Sequence, residues 1–151
     1  MMYMKKRSKR LEPVASHAKN LENEAARIFA EAQQRVSDSE QQLLQLEGFR
    51  DEYLTKYQSA SQQLDSMSQL LDYQAFLAKL NIGIGQANST INLCRQQRDV
   101  LKQQWMQRRV RTQALESVVE KYLQVELKQQ NHIEQLELEE LTLQRFHNPH
   151  N

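Results

Sequence analysis

The sequence predicts an all-α fold: one long two-helix antiparallel coiled-coil hairpin whose second helix is longer than its first. The 151 residues include only three glycines and two prolines, so the chain has few places to turn. From Leu70 onward, apolar residues return every three and four positions in one phase. A second seam of the same kind runs through the first half, from Leu11 to Leu64. Hydrophobic residues at 39% and charged residues at 26% match helices that are too polar to be buried on every side.

In order, the expected elements are a basic tail (1–12), a first helix (13–60), a reversal (61–69), a second helix (70–146) and a tail (147–151). All belong to a single coiled-coil domain, 1–151. The basic tail carries Lys5, Lys6, Arg7, Lys9 and Arg10. Pro13 is placed at the start of the first helix, because its missing N–H is one of the unpaired donors of a first turn anyway. The seam then reads Leu11, Val14, Ala18, Leu21, Ala25, Ile28 and Ala32. It steps by four to Val36 and resumes through Leu43, Leu46, Arg50, Tyr53, Tyr57, Ala60 and Leu64. Two consecutive steps of four make a stutter, which unwinds the supercoil near Ala32. The small side chains of Ala18, Ala25 and Ala32 let the helices approach closely.

The reversal is assigned to SASQQLDSMS, Ser59 to Ser68, where serines cluster and large apolar residues thin out. Serine side chains compete with helix for local backbone hydrogen bonds. The second seam runs Leu70, Tyr73, Leu77, Leu80, Ile84, Ala87, Ile91, Cys94, Arg98, Leu101, Trp105, Arg108, Thr112, Leu115, Val119 and Tyr122. It continues through Ile133, Leu136 and Leu143, with Glu126, Gln129 and Glu140 as polar exceptions. Held over about ten heptads, this is a left-handed supercoiled helix of roughly 110 Å. Asn148 and Pro149 mark its far end.

Folding back at about residue 64 sets level pairs whose position numbers sum to about 129. A basic block of Arg95, Arg98, Lys102, Arg108, Arg109 and Arg111 then faces 34–18, which holds Glu22, Glu24 and Glu31. Residues beyond about 118 overhang the first helix. The same register sets two stripes side by side. Gln42, Leu46, Phe49 and Tyr53 lie level with Ala87, Gly83, Leu80 and Phe76. Two aromatic-bearing stripes at one height suit either the thick part of the seam or a docking patch for a partner's apolar group.

Composition narrows the function classes. The net charge is +1, and Cys94 is the sole cysteine, so no internal disulfide can close and a reducing compartment is expected. No apolar run approaches the roughly 20 residues of a membrane span, and no hydrophobic signal segment follows the basic start. A cytoplasmic protein is therefore expected. The stretch NIGIGQANST, Asn81 to Thr90, looks like a phosphate cradle but has neither a Gly-Lys-Ser/Thr ending nor a third glycine. The heptad passes through it, so Gly83 and Gly85 are expected inside a helix. There they are either tolerated or bare the backbone for a partner. Trp105 reads as a seam residue and Cys94 as a small filler. His147 and His150 sit on a polar tail, and His17 and His132 are isolated. No nucleophile has a neighbouring base, and a hairpin offers no dry cleft. The expectation is no enzyme activity, no catalytic residue, no cofactor, no metal and no small-molecule substrate.

LLDYQAFLAKL (Leu70–Leu80), LEGFRDEYLTKY (Leu46–Tyr57) and LKQQWMQRRVRTQALESVVEKY (Leu101–Tyr122) resemble the flagellar export family FliJ. The likeness covers most of the chain, including the basic start with Leu11 and Pro13. It implies an antiparallel coiled coil similar to the central stalk of rotary ATP synthases, peripheral at the inner membrane through the export apparatus. The partners it implies are an export ATPase hexamer, entered by the helix tips, the cytoplasmic part of an export-gate membrane protein, and export chaperones. The family's gate patch maps onto Gln42, Leu46, Phe49, Tyr53, Phe76, Leu80, Gly83 and Ala87, the two stripes found from spacing. Phe49 stands for a tyrosine of the family, Gly83 for an alanine and Ala87 for a histidine.

Three alternatives stand beside this. The first is the equivalent stalk of a virulence type III secretion system. The second is an adaptor that binds nucleic acid or an anionic membrane through the 5–10 and 95–111 basic blocks. The third is a plain coiled-coil adaptor that self-associates. Nucleic acid is not the expected partner, because the basic blocks read as solvated or paired helix faces.

Overall fold

In a computed structural model, which describes residues 6–63 and 67–147, the chain forms two helices, α1 (Arg7–Gln63) and α2 (Met67–His147). They contain 57 and 81 residues and pack against each other as a hairpin, with no strand among the described residues. Isolated helices are marginal in water, so this shared seam is what holds them. Residues 64–66, the middle of the predicted reversal, lie outside the described residues, as do Asn148, Pro149 and His150. The helices run closer to the reversal than 60 and 70. The serines of 59–68 do not end α1 before Gln63, and Met67 already belongs to α2.

The start of α1 differs from the expectation. The helix begins at Arg7 and carries Pro13 in its interior, so residues 7–12 are helical rather than tail. Their partners on α2 explain this and are described below.

The chain separates into two compact units. One comprises Met1–Glu24 with Met106–Asn151, the other Ala25–Trp105. In Ala25–Trp105 the seam is apolar: Ala32, Val36, Leu77, Ile84 and Ile91 are buried. Ala32 and Val36, the residues of the stutter, are each 1% exposed. Phe29 and Trp105 stack with ring centroids 5.6 Å apart and planes 4° apart, which places Trp105 in the seam as its spacing predicts. Cys94 is half-buried, with Sγ 3.9 Å from Ser39 Oγ.

The other unit has a mixed seam, with apolar half-buried positions such as Leu11, Leu21, Leu115 and Val119 beside buried polar ones. Ser8, Ala18, Glu22 and Thr112 are buried. The Thr112 hydroxyl donates to the Arg108 carbonyl at 3.0 Å, and Glu22 lies 3.5 Å from Lys19 on its own helix. Val14 is exposed, and Ala15 takes the seam position instead. On α2 the seam stays half-buried as far as Glu126, and every residue from Leu127 to His147 is exposed. The overhang therefore begins more than two turns later than expected, partly because α1 itself starts earlier and partly because the pairing is displaced, Ser8 meeting Glu126.

Near the reversal the expected register holds, with Tyr53 against Phe76. Farther along Ala25–Trp105 the contacts are displaced. Glu40 would lie level with Ser89 but meets Arg95 at 3.0 Å, and Phe29 would lie level with Val100 but stacks on Trp105. Helical side chains lean toward their own N-terminus. Lean alone does not account for the displacement, because the short side chains of Ser39 and Cys94 also meet about four positions off the expected level, so the pairing itself has shifted away from the reversal. Of the acidic residues expected to meet the basic block, Glu22 and Glu31 pair within α1. Glu31 pairs with Arg27, Glu22 with Lys19, and Arg98 with the adjacent Asp99. Arg95–Glu40 is a cross-helix ion pair of that block.

Candidate functional site

All eight residues of the two stripes lie on α1 and α2 within Ala25–Trp105. Near the reversal, Tyr53 and Phe76 stack with centroids 4.1 Å apart and planes at 30°. Tyr73 approaches the same Tyr53 ring edge-on at 6.2 Å, and the Lys56 ammonium lies 5.4 Å from its centroid. Gln74 adds a cross-helix hydrogen bond, donating to the Tyr57 hydroxyl at 2.9 Å. The sequence stripes stop short of Tyr73 and Tyr57. The Tyr73 ring makes the cluster wider than a pair, and Tyr57 adds a polar contact through Gln74.

Exposure varies along the stripes. Phe49 is 52% and Phe76 39% exposed, large values for phenylalanine. Tyr53, Leu46, Leu80, Gly83 and Ala87 are half-buried, and Gln42 is exposed. Phe76 thus presents one face to Tyr53 and keeps part of its surface in water. Tyr53 and Phe76 are the pair whose ring contact is direct. Phe49, Leu80, Leu46, Gly83, Gln42 and Ala87 continue the same faces at helical spacing.

Gly83 and Gly85 are helical, as the heptad requires, and NIGIGQANST forms no loop. The Ser89 hydroxyl donates to the Gly85 carbonyl at 3.2 Å, a local helical bond. A Cβ added at either glycine would meet nothing within 4 Å, so packing does not demand glycine there. A groove of about 480 Å³ lies elsewhere in the same unit, lined by Arg35, Leu93, Gln96, Gln97, Val100 and Leu101. None of the eight stripe residues lines it.

Among the described residues no group of three or more His, Cys, Asp or Glu side chains converges on a common point. No helix among them is long and apolar enough to cross a membrane.

A family model described as Flagellar FliJ protein matches residues 7–151, beginning at the first residue of α1. The Flagellar FliJ protein of Escherichia coli (strain K12) is 25% identical over 117 residues, 78% of this chain and 80% of that protein. No solved structure matches. With the family model spanning nearly the whole chain and a helical hairpin beneath it, the protein belongs to the flagellar FliJ family.

Proposed function

We propose that this protein is a non-enzymatic stalk component of the flagellar type III export apparatus. It works in the cytoplasm, peripheral to the inner membrane, where it binds an export ATPase ring and the export gate and handles export chaperones. Its chemistry is binding alone. Gate binding falls to the face built from Gln42, Leu46, Phe49, Tyr53, Phe76, Leu80, Gly83 and Ala87. The observation that carries this assignment is the Tyr53–Phe76 stack. It holds Phe76 in a fixed orientation while leaving 39% of it exposed, so an apolar partner group meets a preordered ring. Phe49, 52% exposed, extends the apolar surface along α1.

Family membership favours the flagellar system over the virulence stalk. The anionic-surface alternative is weakened because Arg95 and Arg98 already have carboxylate partners in Glu40 and Asp99.

The test is a calorimetric titration of the purified gate fragment with Phe76→Ala, Leu80→Ala and the double variant. Truncating an aromatic anchor at an interface typically costs 2 kcal/mol or more, so the double variant is expected to bind at least about thirtyfold more weakly. Its helicity by circular dichroism should match wild type. Unchanged affinity in a fully helical double variant would remove the assignment.

A further inference from the structure

Lys6 occupies the N-cap of α1, where its carbonyl accepts the first helical bond from the Arg10 N–H at 3.2 Å. A good N-cap side chain accepts a hydrogen bond from an N–H two or three residues on, but lysine has no acceptor. The acceptor comes from α2 instead. Glu126 Oε1 accepts the Ser8 N–H at 3.3 Å, and Oε2 accepts the Ser8 hydroxyl at 2.6 Å. Ser8 is 1% exposed under this contact, and the Arg7 guanidinium stands 5.7 Å from the centre of the Tyr122 ring.

Nothing in the α1 sequence favours a helix start here. The first turn has no acidic residue, and Lys6, Arg7, Lys9 and Arg10 set positive charge at the positive end of the helix dipole. Pro13 leaves the Lys9 carbonyl without its helical N–H partner and presses its ring toward that carbonyl. The same proline would be well placed as the first residue of a helix that began there. Local sequence therefore favours a start at Pro13, and the contacts with Glu126 and Tyr122 favour a start at Arg7.

We propose that residues 6–12 are a strap, a conditional turn of helix that Glu126 holds closed on α2. The strap opens by unwinding back to Pro13 while the rest of the hairpin stays folded. Closed, it buries Ser8 and engages Arg7 with Tyr122. Open, it releases Arg7 from Tyr122 and uncovers Ser8, Glu126 and Tyr122, so one event changes the surface of both helices. The strap does not depend on which partners the protein binds.

Hydrogen exchange of the full-length chain, read by mass spectrometry, tests it. In Glu126→Ala the amides bonded in the closed strap, Ser8 and those from Arg10 to Glu12, should exchange roughly tenfold faster, the scale of losing a helix cap, while peptides from 25–105 keep wild-type rates. Adding Pro13→Ala should restore protection to 6–12, because alanine lets the turn propagate from the helix behind it. Wild-type protection of 6–12 in Glu126→Ala would overturn the strap. So would a loss of protection spreading through the whole of α1, which would make the contact a general support of the hairpin. Failure of Pro13→Ala to restore protection would overturn Pro13 as the limit of unwinding.

Discussion

In Ala25–Trp105 the most buried positions are Ala32, Val36, Leu77, Ile84 and Ile91. In the other unit they are Ser8, Ala18, Glu22 and Thr112. Both units pair α1 with α2 and both carry a heptad-spaced seam. An apolar seam is stabilised by the area it removes from water, so it tolerates small shifts and is indifferent to charge. A seam with buried polar groups depends in addition on each of them keeping its partner. Ser8 has Glu126, Thr112 has the Arg108 carbonyl and Glu22 has Lys19. Among the described residues no buried side-chain polar atom is left without a partner. The Ser8–Glu126 contact is therefore where one side-chain change, or one proton, is expected to open a segment without unfolding the rest.

The most severe way to break the comparison is to truncate each seam in turn. Ile91, 2% exposed, has only apolar burial to lose, and Ile91→Ala should destabilise the protein by about 2–4 kcal/mol in urea unfolding. Thr112→Ala removes one methyl and a hydroxyl bonded within its own helix, and should cost about 1 kcal/mol. Equal losses would erase the distinction between the two seams.

A smaller effect of opposite sign is expected at the glycines. Neither Gly83 nor Gly85 has a neighbour within 4 Å of an added Cβ, and both are helical. Each Gly→Ala change should raise stability by about 1 kcal/mol, through higher helix propensity and a less flexible unfolded chain. A loss of stability at either position would mean that the bare backbone there is needed for packing.

The smallest effect is local and concerns pH. The Ser8 hydroxyl bond is the main cause holding the Glu126 carboxyl below its ordinary range, aided by the Ser8 N–H and by nearby Lys6 and Lys9. A carboxyl whose pKa is lowered on folding contributes stability above its unfolded value, and that contribution is lost as the pH falls through the folded value. The charged groups of the strap are Lys6, Arg7, Lys9, Arg10 and Glu12, so the Glu126→Ala comparison is what assigns the step. After correction for intrinsic rates, exchange protection of 6–12 should be flat above about pH 5 and fall below about pH 4. Glu126→Ala should show no such step, and an identical step in that variant would assign the titration elsewhere.

Much of this architecture is legible in residue spacing. From Leu70 to Tyr122 the α2 seam residues are buried or half-buried, Arg108 alone excepted. The aromatic pairing of Tyr53 with Phe76 also follows from spacing, because near the reversal little register can accumulate. Val14 shows where spacing runs out. Between Leu11 and Ala18 the steps three-then-four and four-then-three are equally helical, hydrophobicity prefers Val14, and the geometry takes Ala15. The ion pairs were less legible, since long charged side chains reach neighbours on their own helix as easily as across the seam. Hence Glu31 turns to Arg27 and not to the basic block. For the candidate site, the spacing located the stripes, but only the fold showed that Tyr73 widens the ring cluster, that Gln74 bonds Tyr57 across the helices and that Phe76 stays partly exposed.

The sequence by itself determined that there are two helices, that each bears one seam and that Gly83 and Gly85 lie within a helix. Periodicity is a property of neighbours in the chain and needs no fold to be read. Only the tertiary structure decided where α1 begins and how far α2 runs on alone. Lys6 cannot cap and Pro13 invites a start, yet a carboxylate 118 residues away in sequence supplies the missing acceptor. No local rule can anticipate a hydrogen-bond partner that exists only once the two helices have met.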